Sequence, residues 1–207
     1  MTVAYILWYY QVDYHTVVYH IRNTKNFDIQ CELQGANHEK KTTTVVLTLP
    51  VVYEDKFEIT YYYVAKEAES TGSRNTVASG ISGKKYKENF LKKVKLEGSG
   101  YTEDGEYIQY NPTTGKYRIV SYPQTATGTD LKVGQTIAVD NTIIPRSGNG
   151  HRAKVYIVDV GYRQAEDAGS AIKGFHIDVY VGVGEPSPEP SWNKQYRNVQ
   201  YFGNDLY

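Results

Sequence analysis

Cysteine is nearly absent: Cys31 stands alone, so no intrachain disulfide is possible, and it lies in a strand-like run without a partner at metal-ligand spacing. Net charge is also missing, since 23 Lys+Arg balance 23 Asp+Glu; nothing in the overall charge attracts nucleic acid or an anionic surface. No run of eighteen apolar residues occurs, which excludes an apolar membrane-spanning helix. The opening MTVAYILWYYQVDY has no basic segment, long apolar stretch or small-residue cleavage site and does not read as an export signal. The five histidines (15, 20, 38, 151 and 176) form neither HxxxH nor HExxH, so no metal ligand set is expected. There is no GxSxG elbow and no P-loop, and Gly98-Ser99-Gly100 is too short to cradle phosphate. No cofactor is implied.

Tyrosine is what the chain has in plenty, 21 residues against 5 Phe and 2 Trp. Its broad ring and polar tip suit strands and half-buried surfaces, and also sugar-stacking platforms. Strand-type runs dominate. Val3–Tyr10, Val17–Ile21, Phe27–Leu33 and Thr42–Leu49 predict a small antiparallel sheet, and Pro50 marks a boundary. We therefore expect a β-rich appendage over residues 1–52 and a main domain over 53–207. In the latter, Phe57–Val64 reads as a strand and Ser70–Gly83 as a loop. Lys84–Lys95 reads as a helix, with Tyr86, Phe90 and Val94 on one face, and Glu106–Tyr110 with Lys116–Val120 as a hairpin. Short strands follow at Thr136–Val139, Ala153–Val158, Tyr162–Ala165 and Phe175–Val181, punctuated by glycine. This favours a compact barrel over a sandwich. Glu185–Pro190 is a stiff Pro-rich arm, and the aromatic tail from Trp192 is expected to pack back on the barrel.

The candidate chemistry lies in acidic residues of the C-terminal half. Asp140 follows a strand, Asp167 precedes Ala168-Gly169, and Asp178 sits inside the apolar run Phe175–Val181. A carboxylate in such a run either satisfies a local backbone donor or projects into a cleft, because charges rarely face a core unpaired.

The ordered blocks IAVD and AEDAGSAIKGFHID, within residues 137–182, resemble the three-aspartate (3D) domain. That domain occurs in the membrane-bound lytic transglycosylase A family and in cell-wall proteins of Gram-positive bacteria. ENFLKKVKLEGSGY (Glu88–Tyr101) is similar to the family segment that ends in a QGSGY-like motif and lines its glycan groove, and PSWNKQYRNVQYF to the family's closing segment. The similarity extends over about residues 56–207. It implies a mainly β fold, a double-psi β-barrel, with a short inserted subdomain at about 84–122. The implied activity is non-hydrolytic cleavage of the β-1,4 bond between N-acetylmuramic acid and N-acetylglucosamine, leaving 1,6-anhydro ends.

By position, Asp178 matches the catalytic acid/base, Asp167 an electrostatic or hydrogen-bonding helper, and Asp140 a structural role. Lys173, Ser99 and Tyr101 are candidates for substrate contact, with turn or capping roles as the alternative. Glu97 departs from the family glutamine and would bring a second carboxylate toward the groove. The expected partner is peptidoglycan, with a phage tail or the bacterial envelope as the setting and residues 1–52 as a docking part; nucleic acid is not expected. The competing reading is a non-catalytic structural or glycan-binding module on the same barrel.

Overall fold

The computed structural model describes residues 14–21, 27–35, 40–47, 53–146 and 153–202. The chain divides into two units near Pro50. In the first, β1 (Tyr14–Ile21), β2 (Phe27–Gly35) and β3 (Lys40–Leu47) form an antiparallel sheet in sequential order. Cys31 lies on β2. The strand expected at Val3–Tyr10 lies outside the described residues.

The second unit begins with β4 (Tyr53–Lys66), a strand of 14 residues. A single 3-10 turn at Glu67–Glu69 follows, then β5 (Arg74–Val77), β6 (Lys85–Lys87), α1 (Glu88–Glu97), β7 (Ser99–Tyr101), β8 (Tyr107–Asn111) and β9 (Lys116–Val120). β10 (Thr136–Val139), β11 (Lys154–Ile157), β12 (Gly161–Asp167), β13 (His176–Val183) and β14 (Gln195–Tyr201) complete it.

Hydrogen-bonded neighbours run β13-β10-β12-β11-β14-β4-β7-β8-β9, and β4 also pairs with β13. β4 is antiparallel to β14 over Tyr53–Ile59, parallel to β13 from Glu58 to Val64, and parallel to β7 at Ala65 and Lys66. One strand thus links the strands of the C-terminal half to the inserted hairpin.

Alternation along these strands divides the side chains between clusters. Phe57 and Ile59 on β4, Ile137 and Val139 on β10, Val155 and Ile157 on β11, Ala165 on β12, Ile177 and Val179 on β13 and Val199 on β14 are all buried in one core. The opposite faces of β4, β10 and β13 supply Tyr62, Val64, Ala138 and Tyr180 to a second cluster, with Leu131 and Ile172. A third joins Tyr63 and Ala65 to the buried face of α1 (Phe90, Leu91, Val94) and to Ile108.

Two expectations shift. The helix starts at Glu88 rather than Lys84, because Lys85–Lys87 pairs with β5 in the stretch read as a loop. The buried Glu67 carboxylate accepts the Lys87 N–H at 2.9 Å and the Glu103 N–H at 3.1 Å, which holds that hairpin in place. The tail, expected to pack on the sheet, instead enters it as β14 between β4 and β11, with Val199 and Tyr201 in the core.

Both glycines after α1 are required by geometry. Gly98 takes φ +88°, a left-handed turn that ends the helix, and its N–H reaches the Val94 carbonyl at 2.9 Å. Gly100 has no room for a side chain: a Cβ there would lie 2.4 Å from Val94 Cγ2 and 2.6 Å from the Phe90 ring. Substitution Gly100→Ala should destabilise the second unit by about 1–3 kcal/mol, the range for overpacking a filled core. Chemical denaturation of the whole chain, read against wild type, checks this; an unchanged midpoint would contradict the packing argument.

Candidate functional site

Four neighbouring strands bring the candidate acids together. Asp178 on β13 is in register with Thr60 on β4 and with Ala138 on β10, and Ala138 is in register with Asp167 on β12. Asp178 and Asp167 thus flank Ala138 on one face of the sheet, about 10 Å apart at their Cα atoms from two strand spacings. A bulge creates the alignment. Ile137 pairs with Ala165 but Ala138 with Asp167, so Glu166 is the extra residue. Buried Glu166 is satisfied by Gln135 Nε2 at 3.2 Å and Thr136 Oγ1 at 3.1 Å.

Asp178 is half-buried. Its Oδ1 accepts the Thr60 hydroxyl at 2.7 Å, and Thr60 Oγ1 lies 2.8 Å from His176 Nε2. A threonine hydroxyl has one proton. Since Thr60 gives that proton to Asp178, the consistent arrangement has His176 Nε2–H donating to Thr60. Burial drives the Asp178 pKa up to about 6, opposed by the Thr60 hydrogen bond and the His176 charge and reinforced by Asp167. Among the described residues Oδ2 carries no hydrogen bond, which leaves one carboxyl oxygen for a ligand.

Asp167 is placed differently. Oδ2 accepts the Tyr62 hydroxyl at 2.7 Å, and Oδ1 accepts the Ala126 and Ala168 N–H groups at 2.8 and 2.9 Å. Burial still raises its pKa, against these three donors. Tyr62, itself buried, packs against Tyr180 at 5.5 Å between ring centres. Asp140 is tied into a turn instead: it accepts the Gly174 N–H at 2.8 Å, the Thr142 N–H at 2.9 Å and the Thr142 hydroxyl at 2.8 Å. Those donors hold its pKa down to about 2.

Glu97, the last residue of α1, accepts the Tyr63 N–H through Oε2 at 3.2 Å. It is half-buried, and burial pushes its pKa up to about 7, opposed by the Tyr63 bond and reinforced by the Asp178 and Glu185 charges. The remaining sequence candidates scatter. Lys173 is exposed, its charge acts on Asp140, and it makes no hydrogen bond or ion pair with Asp178 or Asp167 among the described residues. Ser99 is 2% exposed on β7, packed away from solvent on the face opposite to the helix-facing Gly100. Tyr101 contacts Tyr107 at 4.9 Å and, with Lys66 and Glu103, lines a cavity of about 290 Å³. Among the described residues no cluster of three or more His, Cys, Asp or Glu could hold a metal, and no helix is long and apolar enough to cross a membrane.

Thr60, Tyr62 and His176 are site residues that the sequence pattern does not single out. Alternation alone could have placed His176 beside Asp178, since they are two apart on one strand.

The comparisons bear on the same strands. Residues 135–201 match a family model, that of the 3D domain. The resemblance read from the sequence holds. This 3D segment contains β10 to β14 and all three aspartates. Escherichia coli MltA, in a crystal structure with bound chitohexaose, is similar over 86% of this chain and 76% of its own, at 14% identity and a TM-score of 0.52, a likeness of fold. MltA from Neisseria gonorrhoeae is 17% identical over 87% of this chain and 77% of its own, with a TM-score of 0.44. The lytic transglycosylase LtgG of Burkholderia pseudomallei is 14% identical over 86% and 75%, with a TM-score of 0.40. No curated protein matches in sequence.

Two measurements follow from the electrostatics. Thr60 donates to the ionised form of Asp178, so Thr60→Val should move the Asp178 pKa above about 6. Carboxyl NMR titration reads this directly, and a lower pKa would refute the hydrogen bond's role. Glu97 binds its proton more tightly folded than unfolded, so its contribution to stability falls as pH rises from about 4.5 through about 7. Glu97→Gln removes that penalty. The variant should gain about 1 kcal/mol over wild type at pH 8, after discounting for solvent screening, and nothing at pH 4. Thermal melts at the two pH values compare them.

Proposed function

We propose that the chain cleaves peptidoglycan glycan strands as a lytic transglycosylase, with Asp178 as the single acid/base. One observation carries the reading. Asp178 is a half-buried carboxyl with its pKa raised to about 6, bonded on one oxygen by Thr60, which His176 backs, and without a hydrogen bond on the other among the described residues. A catalytic acid needs a pKa close to the working pH and an oxygen free for the substrate, and Asp178 meets both conditions. The 3D match over residues 135–201 and the fold shared with E. coli MltA support the same assignment. The circuit of pairings β4-β14-β11-β12-β10-β13, returning to β4, supports a double-psi β-barrel beneath it.

In the proposed reaction protonated Asp178 gives its proton to the glycosidic oxygen as the bond from C1 breaks. The resulting carboxylate then accepts the proton of the same sugar's C6 hydroxyl while O6 bonds to C1, leaving a 1,6-anhydro end and consuming no water. The attacking hydroxyl is already held on the ring, which spares the second carboxylate that positions water in an ordinary glycosidase. Asp167 has donors on both of its oxygens, unlike Asp178. Its role in this scheme is to fix Tyr62 and the loop at Ala126 and to add negative charge near Asp178. We assign the first unit, with its own three-stranded sheet, to docking on a phage tail or the bacterial envelope.

Digestion of purified peptidoglycan by wild type and Asp178→Asn, followed by mass spectrometry, tests the proposal. Anhydro-muropeptides should form with wild type and fall at least about 100-fold in the variant, the scale of a lost general acid. Reducing-end products would make the protein a hydrolase. No products from several wall types would favour the glycan-binding module.

A further inference from the structure

Thr60 hydrogen-bonds two site residues at once, Asp178 Oδ1 at 2.7 Å and His176 Nε2 at 2.8 Å, and the reaction above gives His176 no part of its own. The strands arrange this contact. In the parallel register Asp178 lies opposite Thr60 and His176 opposite Glu58, so the two β13 residues share a face with Thr60. His176 is half-buried, and among the described residues its ring makes no hydrogen bond besides the one to Thr60. The branched Cβ of threonine restricts its rotation, which keeps the hydroxyl between its two partners.

With a single hydroxyl proton at its centre, this row of three groups has two directions open to it. In the first, His176 Nε2–H donates to Thr60 and Thr60 donates to Asp178 Oδ1. In the second, Asp178 Oδ1–H donates to Thr60 and Thr60 donates to a bare His176 Nε2. An ionised Asp178 admits only the first, and a protonated Asp178 admits both. The two differ in where the acid's proton sits. In the first, Oδ1 is an acceptor and the proton occupies Oδ2, the oxygen without a hydrogen bond among the described residues. In the second, the proton is on Oδ1 and turned toward Thr60, and Oδ2 has none to give. Nε2–H is present in the imidazolium as well as in one neutral tautomer, so protonation of the ring does not reverse the first direction.

We propose that His176 is a positioning residue: by donating from Nε2 to Thr60 it fixes the direction of both hydrogen bonds and keeps the Asp178 proton on Oδ2. The role rests on the glycan-cleaving reading of the Asp178 site. No proton moves along the row. The Oδ2 proton goes to the glycosidic oxygen as the bond from C1 breaks, and Oδ2 takes the C6 hydroxyl proton as O6 bonds to C1. Nε2–H and the Thr60 O–H stay where they are throughout. The Thr60 donor therefore faces the carboxylate before it forms, and no reorganisation accompanies the transfer. The second direction would have to turn the Thr60 hydroxyl over each time Asp178 ionised. The His176 charge works in the same sense as its hydrogen bond, holding the Asp178 pKa down against burial.

Long-range proton–nitrogen NMR of the isotope-labelled whole chain reads the ring directly, with the His176 signals assigned by their loss in His176→Gln. At a pH where the shifts show a neutral ring, Nε2 should carry the proton; a proton on Nδ1 instead overturns the proposal. Rates of anhydro-muropeptide release at that pH then form a double-mutant cycle, with thermal melts confirming that each variant is folded. His176→Phe and Thr60→Val should each lower kcat about tenfold with KM within about twofold, the scale of one lost hydrogen bond to a charged group. Thr60→Ser, which keeps the hydroxyl, should recover most of the Thr60→Val loss. The double variant should be no slower than Thr60→Val alone, because His176 acts through the hydroxyl. Additive losses overturn the positioning role and leave the transglycosylase reading standing. A wild type with the Nε2–H tautomer that releases no anhydro-muropeptides overturns the reaction itself, and the role of His176 with it.

Discussion

The parallel hydrogen bonding between β4 and β13, from Glu58 against His176 to Val64 against Val183, is the constraint on which the site depends. These strands are separated by more than a hundred residues, and their register alone decides that Thr60 meets Asp178. A slip of one residue would exchange the two faces of β13, turning Asp178 toward Ile137 and Val139 and bringing Ile177 to the solvent side. The apolar packing of Phe57, Ile59, Ile177 and Val179 in one core opposes that slip. Burial of those four side chains, each worth about 1.5–3 kcal/mol, is therefore also what aims the carboxyl. Stability and chemistry share the same alternation.

Beyond Val64 the strand carries a second constraint. It leaves β13 for β7, and Ala65 and Lys66 pair with Gly100 and Tyr101. The helix-terminating Gly98 and the side-chain-free Gly100 let α1 lie against β7, and this close approach delivers Glu97 to the Tyr63 N–H. The glycines belong to the electrostatics of the site as much as to its packing. A bulkier residue at position 100 would push Phe90 and Val94 away and carry the Glu97 carboxyl with them.

Much of this architecture is legible in the amino-acid sequence. The 3D blocks locate Asp140, Asp167 and Asp178, and strand patterns locate β8, β9, β10 and β13 to within a few residues. Other parts cannot be read there, for specific reasons. Alternation reports which face a residue takes and not which distant strand lies beside it, so the bonds from Thr60 to Asp178 and from Tyr62 to Asp167 have no local signature. The bulge at Glu166 depends on Gln135 and Thr136 satisfying a buried carboxylate, a tertiary event. The β5–β6 hairpin hides in a stretch rich in Ser, Thr and Gly because its anchor, Glu67, lies outside it. Ser99 has the spacing of a contact residue, but the folded strand holds it away from solvent.

The three aspartates share a motif and differ in chemistry because each meets a different balance of donors and burial. Asp140, with three donors at an open turn, is held at about 2 and stays an anion. Asp167 also has three, but burial outweighs them, so its charge is costly and both of its oxygens are engaged. Asp178 has one donor and equal burial of its surroundings, which leaves a proton exchangeable near pH 6 and an oxygen to deliver it. Donor count against desolvation thus sorts one residue type into a clamp, a fixed charge and, in the proposed reaction, an acid/base. The same reasoning extends to Glu97, whose burial outweighs its single donor and raises its pKa.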